Sequence, residues 1–373
     1  MVLVTGHRVG RRHSFEYAGK AAFRQLESRI VREFARPREG LPVRSLPVLV
    51  LAATLMSNAA VADDGAASIA AGGIVMTREP RITMAKEILF ISVTKVKVDY
   101  DFRNDTDSDI TTEVAFPVPA YKLAWDEFSI REQGFDDFRL EVQGMPVHFD
   151  IEAKAKLKGR DVSETLRKYG IDIATFGHFN EDTHYARDVR RLSATQRAAL
   201  VKAGLIDSET DQDEAIWSVE KKYYWQQTFP AHSVVHISHQ YTPALGDLNS
   251  VRYGLMQAKE DPSPAKQLDE FCLDPGLRST LTRYVEKPSS DAAYSDAPYS
   301  WVDFILTTAN TWKTPIEDFT LIIERDREKG AKQSFVSFCW DGPVTKTDAD
   351  HFSAHVDNFV PKQELHIGFF SVY

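Results

Sequence analysis

His178 and His184 flank Glu181-Asp182, the one place in this chain where imidazoles and carboxylates could converge on a flexible loop. Such a set could hold a metal or move a proton, so His178, Glu181 and His184 form the candidate site. No HExxH or ligand-spaced helix frames them, and surface histidines are the simpler reading. His232, His236 and His239 also cluster, but 236 and 239 are three apart on a strand and face opposite sides of it. Asp105, Asp107 and Asp109 alternate like the first half of a calcium loop, yet Ile110 and Phe116 stand where an EF-hand needs Gly and Glu. A solvated turn whose Asx side chains bond their own backbone is expected there. GxSxG is missing. Ser263-Pro264-Ala265-Lys266 fits SxxK, but that serine must open a helix to meet its lysine, and Pro262 and Pro264 argue for a loop. Ala71-Gly72-Gly73 lacks the preceding strand of a phosphate loop. Trp217, Tyr223, Tyr224 and Trp225 read as strand packing, whereas Trp125 and Trp312, in loop-like contexts, are the better candidates for stacking a sugar. No catalytic motif, cofactor or metal site is expected, and the reading leans away from an enzyme.

Where these residues work is set by Val43–Ala62. Arg44 supplies a positive n-region, Leu46–Met56 an apolar h-region, and Ala60-Val61-Ala62 a small-residue cleavage site, with the cut expected between Ala62 and Asp63. Pro47 and Ser57-Asn58 interrupt the run, which falls short of the roughly 20 apolar residues of a membrane span. A periplasmic or secreted bacterial protein, not membrane-spanning after cleavage, is the expectation. Residues 1–42 precede the signal, and a start codon assigned too far upstream or a long cytoplasmic n-region would account for them.

The 373 residues carry 45 Lys/Arg against 54 Asp/Glu. The first 62 hold ten of the basic and four of the acidic residues, so the remainder stands at 35 against 50, a net of −15. An acidic body disfavours nucleic acid and anionic lipid as partners. Cys272 and Cys339 are too few for a disulfide scaffold and lack CxxC spacing. In an oxidising compartment two lone cysteines are expected to pair, the other reading being two buried thiols.

The elements that must position all this are mostly strands. Val96, Val98, Tyr100 and Phe102 alternate with charged residues, and Ile110–Phe116 resumes after a polar turn. Phe138–Val142 and Pro146–Ile151 read as a hairpin around Gln143-Gly144. Asp161–Tyr169 and Ser193–Leu205 look helical, the second opened by a Ser193/Gln196 capping box. Trp217–Gln227 with Val234–Tyr241, and Phe352–Asn358 with Glu364–Tyr373, share one form: strand, Phe, Pro within two residues, turn, strand. Each reads as a closing hairpin. Asp274-Pro275 opens a helix to about Glu286, and Trp301–Thr307, Phe319–Glu324 and Ser334–Trp340 add strands. The expectation is a mainly β protein of one or two immunoglobulin-like β-sandwiches with a helical insertion. Its parts would be a first sandwich over 63–243 with the insertion at about 154–215, a helix and connector over 244–298, and a second sandwich or sheet over 299–373.

Several segments resemble an exported bacterial family catalogued as a domain of unknown function (forty-four twenty-four). They include Met84–Ser92, Val98–Asn104, Val114–Pro119, Tyr223–Pro230, Phe271–Asp274, Ile305–Thr308 and Val336–Cys339. The resemblance implies an immunoglobulin-like β architecture, an export signal and paired cysteines, and no assigned activity. Asn104 with Phe116-Pro117-Val118-Pro119 is also similar to the start of the vault and inter-alpha-trypsin type domain. The expected role is therefore a non-enzymatic envelope protein that binds or scaffolds an envelope protein or glycan, its binding surface within 154–215. A hydrolase or glycan-active protein whose site forms only in three dimensions is the alternative, and a structural assembly subunit a third.

Overall fold

A computed structural model describes residues 65–70, 73–122, 135, 137–171, 173, 192–207, 214–257, 259, 262–286 and 297–373. The chain runs through β1 (Gly65–Ala70), β2 (Gly73–Met76), β3 (Ile82–Ile91), β4 (Val96–Asn104), β5 (Ile110–Pro117) and β6 (Tyr121–Lys122). There follow β7 (Arg139–Val142), β8 (Met145–Pro146), β9 (Asp150–Leu157), β10 (Arg160–Asp161), β11 (Ile206–Asp207), β12 (Glu214–Ala215), β13 (Ser218–Phe229) and β14 (Ser233–Tyr241). The last seven are β15 (Gly246–Leu248), β16 (Tyr299–Phe304), β17 (Ile316–Glu324), β18 (Gln333–Phe338), β19 (Thr345–Lys346), β20 (His351–Phe359) and β21 (Leu365–Val372). The protein is mainly β.

Among the described residues the strands form a seven-stranded, an eight-stranded, a four-stranded and a two-stranded sheet. The eight-stranded sheet runs β19-β20-β17-β3-β4-β14-β7-β8, with β17 and β3 parallel and its other neighbours antiparallel. Its inner face, carrying Leu89, Val98, Tyr100, Phe102, Ile237 and Phe319, shares one core with Phe116, Tyr223 and Trp225 of the seven-stranded sheet. The same core takes in Phe304, Ile367 and Phe369 of the four-stranded sheet. One broad sheet is thus covered by two narrower ones. Strict alternation is what allows this: β4 is buried at every second residue from Val96 to Asn104 and wetted between. In β3 the phase slips, because a bulge at Ala85 puts Met84 opposite Phe102 but Lys86 opposite Asp101. Leu89 and Ile91 then point inward, and so does the fully buried Glu87.

The outer face of the four-stranded sheet is closed by helices Arg252–Met256, Ser263–Glu270 and Pro275–Glu286, whose Leu268, Leu277 and Leu281 pack on Trp301 and Phe370. Asp274 caps the last of these, its Oδ1 accepting from Gly276 N and Leu277 N at 2.8 and 3.1 Å. Gly246 is a glycine because the Trp301 ring lies on it; a Cβ there would come within 1.9 Å of the indole. Helices Ser163–Lys168 and Ala194–Lys202, the latter opened by the Ser193/Gln196 capping box, form a smaller core with Trp217 and Val219.

Four readings need correction. Residues 146–151 are not one strand: Gln143 and Gly144, at φ 53° and 73°, turn β7 into the short β8, but β9 starts at Asp150 and joins β13 in another sheet. The two strand–Phe–Pro units are not hairpins either. β13 lies in the seven-stranded sheet and β14 in the eight-stranded one, while β20 and β21 lie in the eight- and four-stranded sheets. Each Phe-Pro turn is a corner that carries the chain from one layer to the next. Ser263 opens a helix rather than lying in a loop, because proline is tolerated in a first turn whose N–H groups have no helical partner. Finally, Trp312 is 1% exposed and packs on Phe102 and Phe229, so it stacks on the core and not on a ligand.

The aspartate turn after β4 also differs in detail. Asp105 pairs with Arg103, Asp107 with His232, and Asp109 accepts from Ala231 N. It is Asn104, fully buried, that organises the turn. Its Oδ1 accepts from Thr106 N and Oγ1, and its Nδ2 donates to the carbonyls of Ser108 and Phe229, all within 2.7–2.9 Å. Asn104→Ala strands the buried Phe229 carbonyl, a loss of about 2–3 kcal/mol. Urea unfolding measures it, and a loss below about 1 kcal/mol would contradict this role.

Candidate functional site

At the corner where β20 leaves one sheet for β21 in the next, the chain leaves a cavity of about 330 Å³. Its apolar wall is Leu306, Trp340, Val356, Phe359 and Leu365, with Val360 at the lip. The wall is backed by packed rings. Phe319, Phe359 and Trp340 form a triangle of rings with centroids 4.4, 5.5 and 5.9 Å apart. The Glu364 carboxylate accepts from Leu306 N, Thr307 N and Thr307 Oγ1 at 2.8, 3.2 and 2.6 Å, which pins Leu306. Asn310 Nδ2 donates to the Pro361 carbonyl at 2.9 Å and holds the corner itself. Asn358 turns the strand end outward with φ 54°.

Trp340 is held from the other side by a disulfide. Cys339 is bonded to Cys272, 67 residues away, and Ser337 Oγ donates to the Phe271 carbonyl at 2.9 Å. The end of β18 is thereby stitched to the helical layer one residue before the indole begins to line the cavity.

The polar groups around the cavity are uncommitted. Trp340 Nε1 is buried and has no acceptor among the described residues, a state that costs about 1–3 kcal/mol. Asp341, Asn358, Lys362 and Gln363 line the same cavity, are exposed, and make no side-chain hydrogen bond or ion pair among the described residues. A concave apolar wall with a few convergent, unpaired polar groups is the usual form of a small-ligand site.

A second cluster lies behind, on the helix-facing side of the four-stranded sheet. His366 Nδ1 and Asp303 Oδ1 are 2.7 Å apart. The hydrogen bond that the imidazole donates to the Asp303 carboxylate holds His366 above its ordinary value despite burial, and Glu270 and Glu364 add to the effect. Burial raises the Glu270 carboxyl in turn. A histidine raised in the fold contributes stability that is complete below about pH 6.5, its unfolded value, and fades as pH rises through the folded one. Asp303→Asn is therefore expected to cost roughly 1 kcal/mol at pH 5.5, a charge-assisted bond discounted for partial exposure, with the difference closing by pH 9. Denaturation at the two pH values reads it; a cost independent of pH would refute the pairing.

The residues singled out by sequence fall elsewhere. His178, Glu181 and His184 lie outside the described residues, as do Ala62, Asp63 and Trp125. His239 is inside the core, edge-on to Phe116 at 4.3 Å, and burial pushes it down to about 3, so it stays neutral. His236 faces the opposite side against Asp101, and His232 meets Asp107. Among the described residues no three His, Cys, Asp or Glu side chains converge as a metal site would require. Ser263 and Lys266 are both exposed and neither lines the cavity. Sequence reasoning missed Trp340, Asp341, Asn358, Lys362 and Gln363. The one signal available was the Phe-Pro corner at 359–361, read for its turn and not for the space beside it.

No curated protein matches this chain. Among solved structures it is similar to a crystal structure from Legionella pneumophila described as a "putative nutrient binding protein". The two are 13% identical with a TM-score of 0.35, over 83% of this chain and 71% of that one, a likeness too distant to bear on function. A family model matches residues 62–367, and the chain belongs to that family, described as a domain of unknown function (DUF4424).

Proposed function

We propose that this is an exported, non-enzymatic binding protein of the bacterial envelope that holds a small ligand in the cavity beside the β20–β21 corner. The observation that carries the reading is Trp340 Nε1, a buried donor without an acceptor, set in an apolar wall whose rim groups are all unpaired. Buried polar groups in folded proteins are rarely left this way, and the exceptions call for a functional account. Export is supported by the n-region, h-region and small-residue pattern of Val43–Ala62 and by the Cys272–Cys339 disulfide, a bond of oxidising compartments. The stacked, mostly antiparallel sheets support an immunoglobulin-like sandwich architecture, with 163–168 and 194–202 as helices of an insertion. Residues 154–215 remain the surface proposed for a protein partner.

The test is a thermal-shift screen of the purified chain against amino acids, saccharides, organic acids and nucleosides. A ligand at a hundred times its Kd stabilises by about 2.7 kcal/mol, which raises Tm by several degrees in a chain of this size. At least one class should do so in the wild type and fail in the double variant Asp341→Lys, Lys362→Glu. A flat screen would remove the ligand-binding reading, and an intact Met1 in cytosolic fractions would remove export.

A further inference from the structure

The composition of the rim specifies more than a ligand; it specifies what kind. Lys362 brings one positive charge and Asp341 one negative, so the rim has no net charge. An anionic ligand would meet the Asp341 carboxylate, and a cationic one the Lys362 ammonium. The ammonium only donates, the carboxylate only accepts, the amides of Asn358 and Gln363 do both, and the Trp340 N–H donates. The complement of such a mixture is a ligand whose every polar group both donates and accepts, which is a ring of hydroxyls. Below the rim, Trp340 and Phe359 present aromatic surface. The C–H face of a pyranose is apolar enough to lie on such rings while its hydroxyls point to the rim. A volume of about 330 Å³ is at the low end for small-molecule sites, about 300–1,000 Å³, and suits one ring better than an acyl chain or a peptide.

We propose that the cavity binds one ring of a neutral saccharide, its C–H face on Trp340 and Phe359 and its hydroxyls shared among Asp341, Asn358, Lys362 and Gln363. A small rotation of the Trp340 indole brings its covered N–H to a sugar oxygen and removes the unpaired donor. This rests on the reading of the cavity as a ligand site, and the experiment separates the two. The indole N–H resonances of the ¹⁵N-labelled full chain are recorded, with Trp340→Phe assigning the Trp340 signal. Glucose, galactose, N-acetylglucosamine and their β-linked disaccharides are titrated in, and, separately, a mixture of neutral amino acids and inorganic phosphate.

The expected result is that at least one saccharide moves the Trp340 resonance. Asp341→Ala, an exposed position outside the core, should then weaken binding about tenfold or more, as loss of a hydrogen bond to a charged group does. Lys266→Ala, on the helical layer away from the cavity, should leave it unchanged. If amino acids or phosphate move the resonance and saccharides do not, the saccharide assignment is wrong while the ligand site stands. If saccharides bind but spare the Trp340 signal and are indifferent to Asp341→Ala, they bind elsewhere and the assignment is again wrong. If nothing moves it, both readings fall.

Discussion

Replacing Cys272 and Cys339 together by serine is expected to lower the free energy of unfolding by about 4 kcal/mol, the loop-closure entropy of a cross-link spanning 67 residues. The loss is large against the roughly 5–15 kcal/mol that holds a typical domain together. It should have a local consequence as well. Cys339 is one residue before Trp340, and Cys272 sits at the end of the helix Ser263–Glu270 with φ 48°, a backbone state that the cross-link helps to hold. Without the bond, the end of β18 keeps the Ser337 hydrogen bond and its ladder with β21, but the wall that Trp340 supplies loses its tie to the helices. Urea unfolding of the oxidised wild type and the double serine variant measures the first effect as a shift in midpoint. Amide hydrogen exchange at residues 338–342 measures the second. A stability loss under 1 kcal/mol would falsify the claim that the bond is a main clamp between these layers.

Trp312→Ala should cost a similar amount, about 4 kcal/mol, within the range of large-to-small changes at an aromatic core position. Trp312 follows a turn of 3₁₀ helix at Thr307–Thr311 and drives its ring between Phe102 of β4, at 4.7 Å, and Phe229 of β13, at 6.2 Å. It therefore bridges the two largest sheets at the corner that Asn104 also organises. Truncation would leave a void lined by both sheets, and neither can collapse into it without breaking ladder hydrogen bonds. Trp312→Phe should recover part of the loss by keeping a ring. Sugar binding should be indifferent to either variant so long as the protein is folded. An alanine variant as stable as wild type would mean that the indole is not part of the shared core.

Trp312 and Trp340 together show where reading the sequence stops. Both stand near strand ends with a charged residue directly after them, Lys313 and Asp341, and nothing in their local sequence separates a core ring from a cavity wall. What separates them is the company brought by distant segments: Phe102 and Phe229 for one, Phe319, Phe359 and the uncommitted rim for the other. The same holds for the Phe-Pro units. Their kinship was visible as a shared pattern, but a turn between two alternating strands looks alike whether the strands pair or part to different layers. Only the ladders decide.

Local chemistry, by contrast, was legible from residues alone. The alternation of β4, the Ser193/Gln196 capping box, the Asp274-Pro275 helix start and the Gln143-Gly144 turn are each settled within a few residues, because period, cap and φ preference act over that range. So was the opposed facing of His236 and His239, which follows from the two-residue repeat of a strand. The pairing of Cys272 with Cys339 was within reach too, since two cysteines allow a single intramolecular bond. Which sheet each strand joins, the parallel contact of β3 with β17, and the cavity at the corner were not. They arise from contacts between segments tens to more than two hundred residues apart, or from space left between layers, and no short-range preference encodes an empty volume.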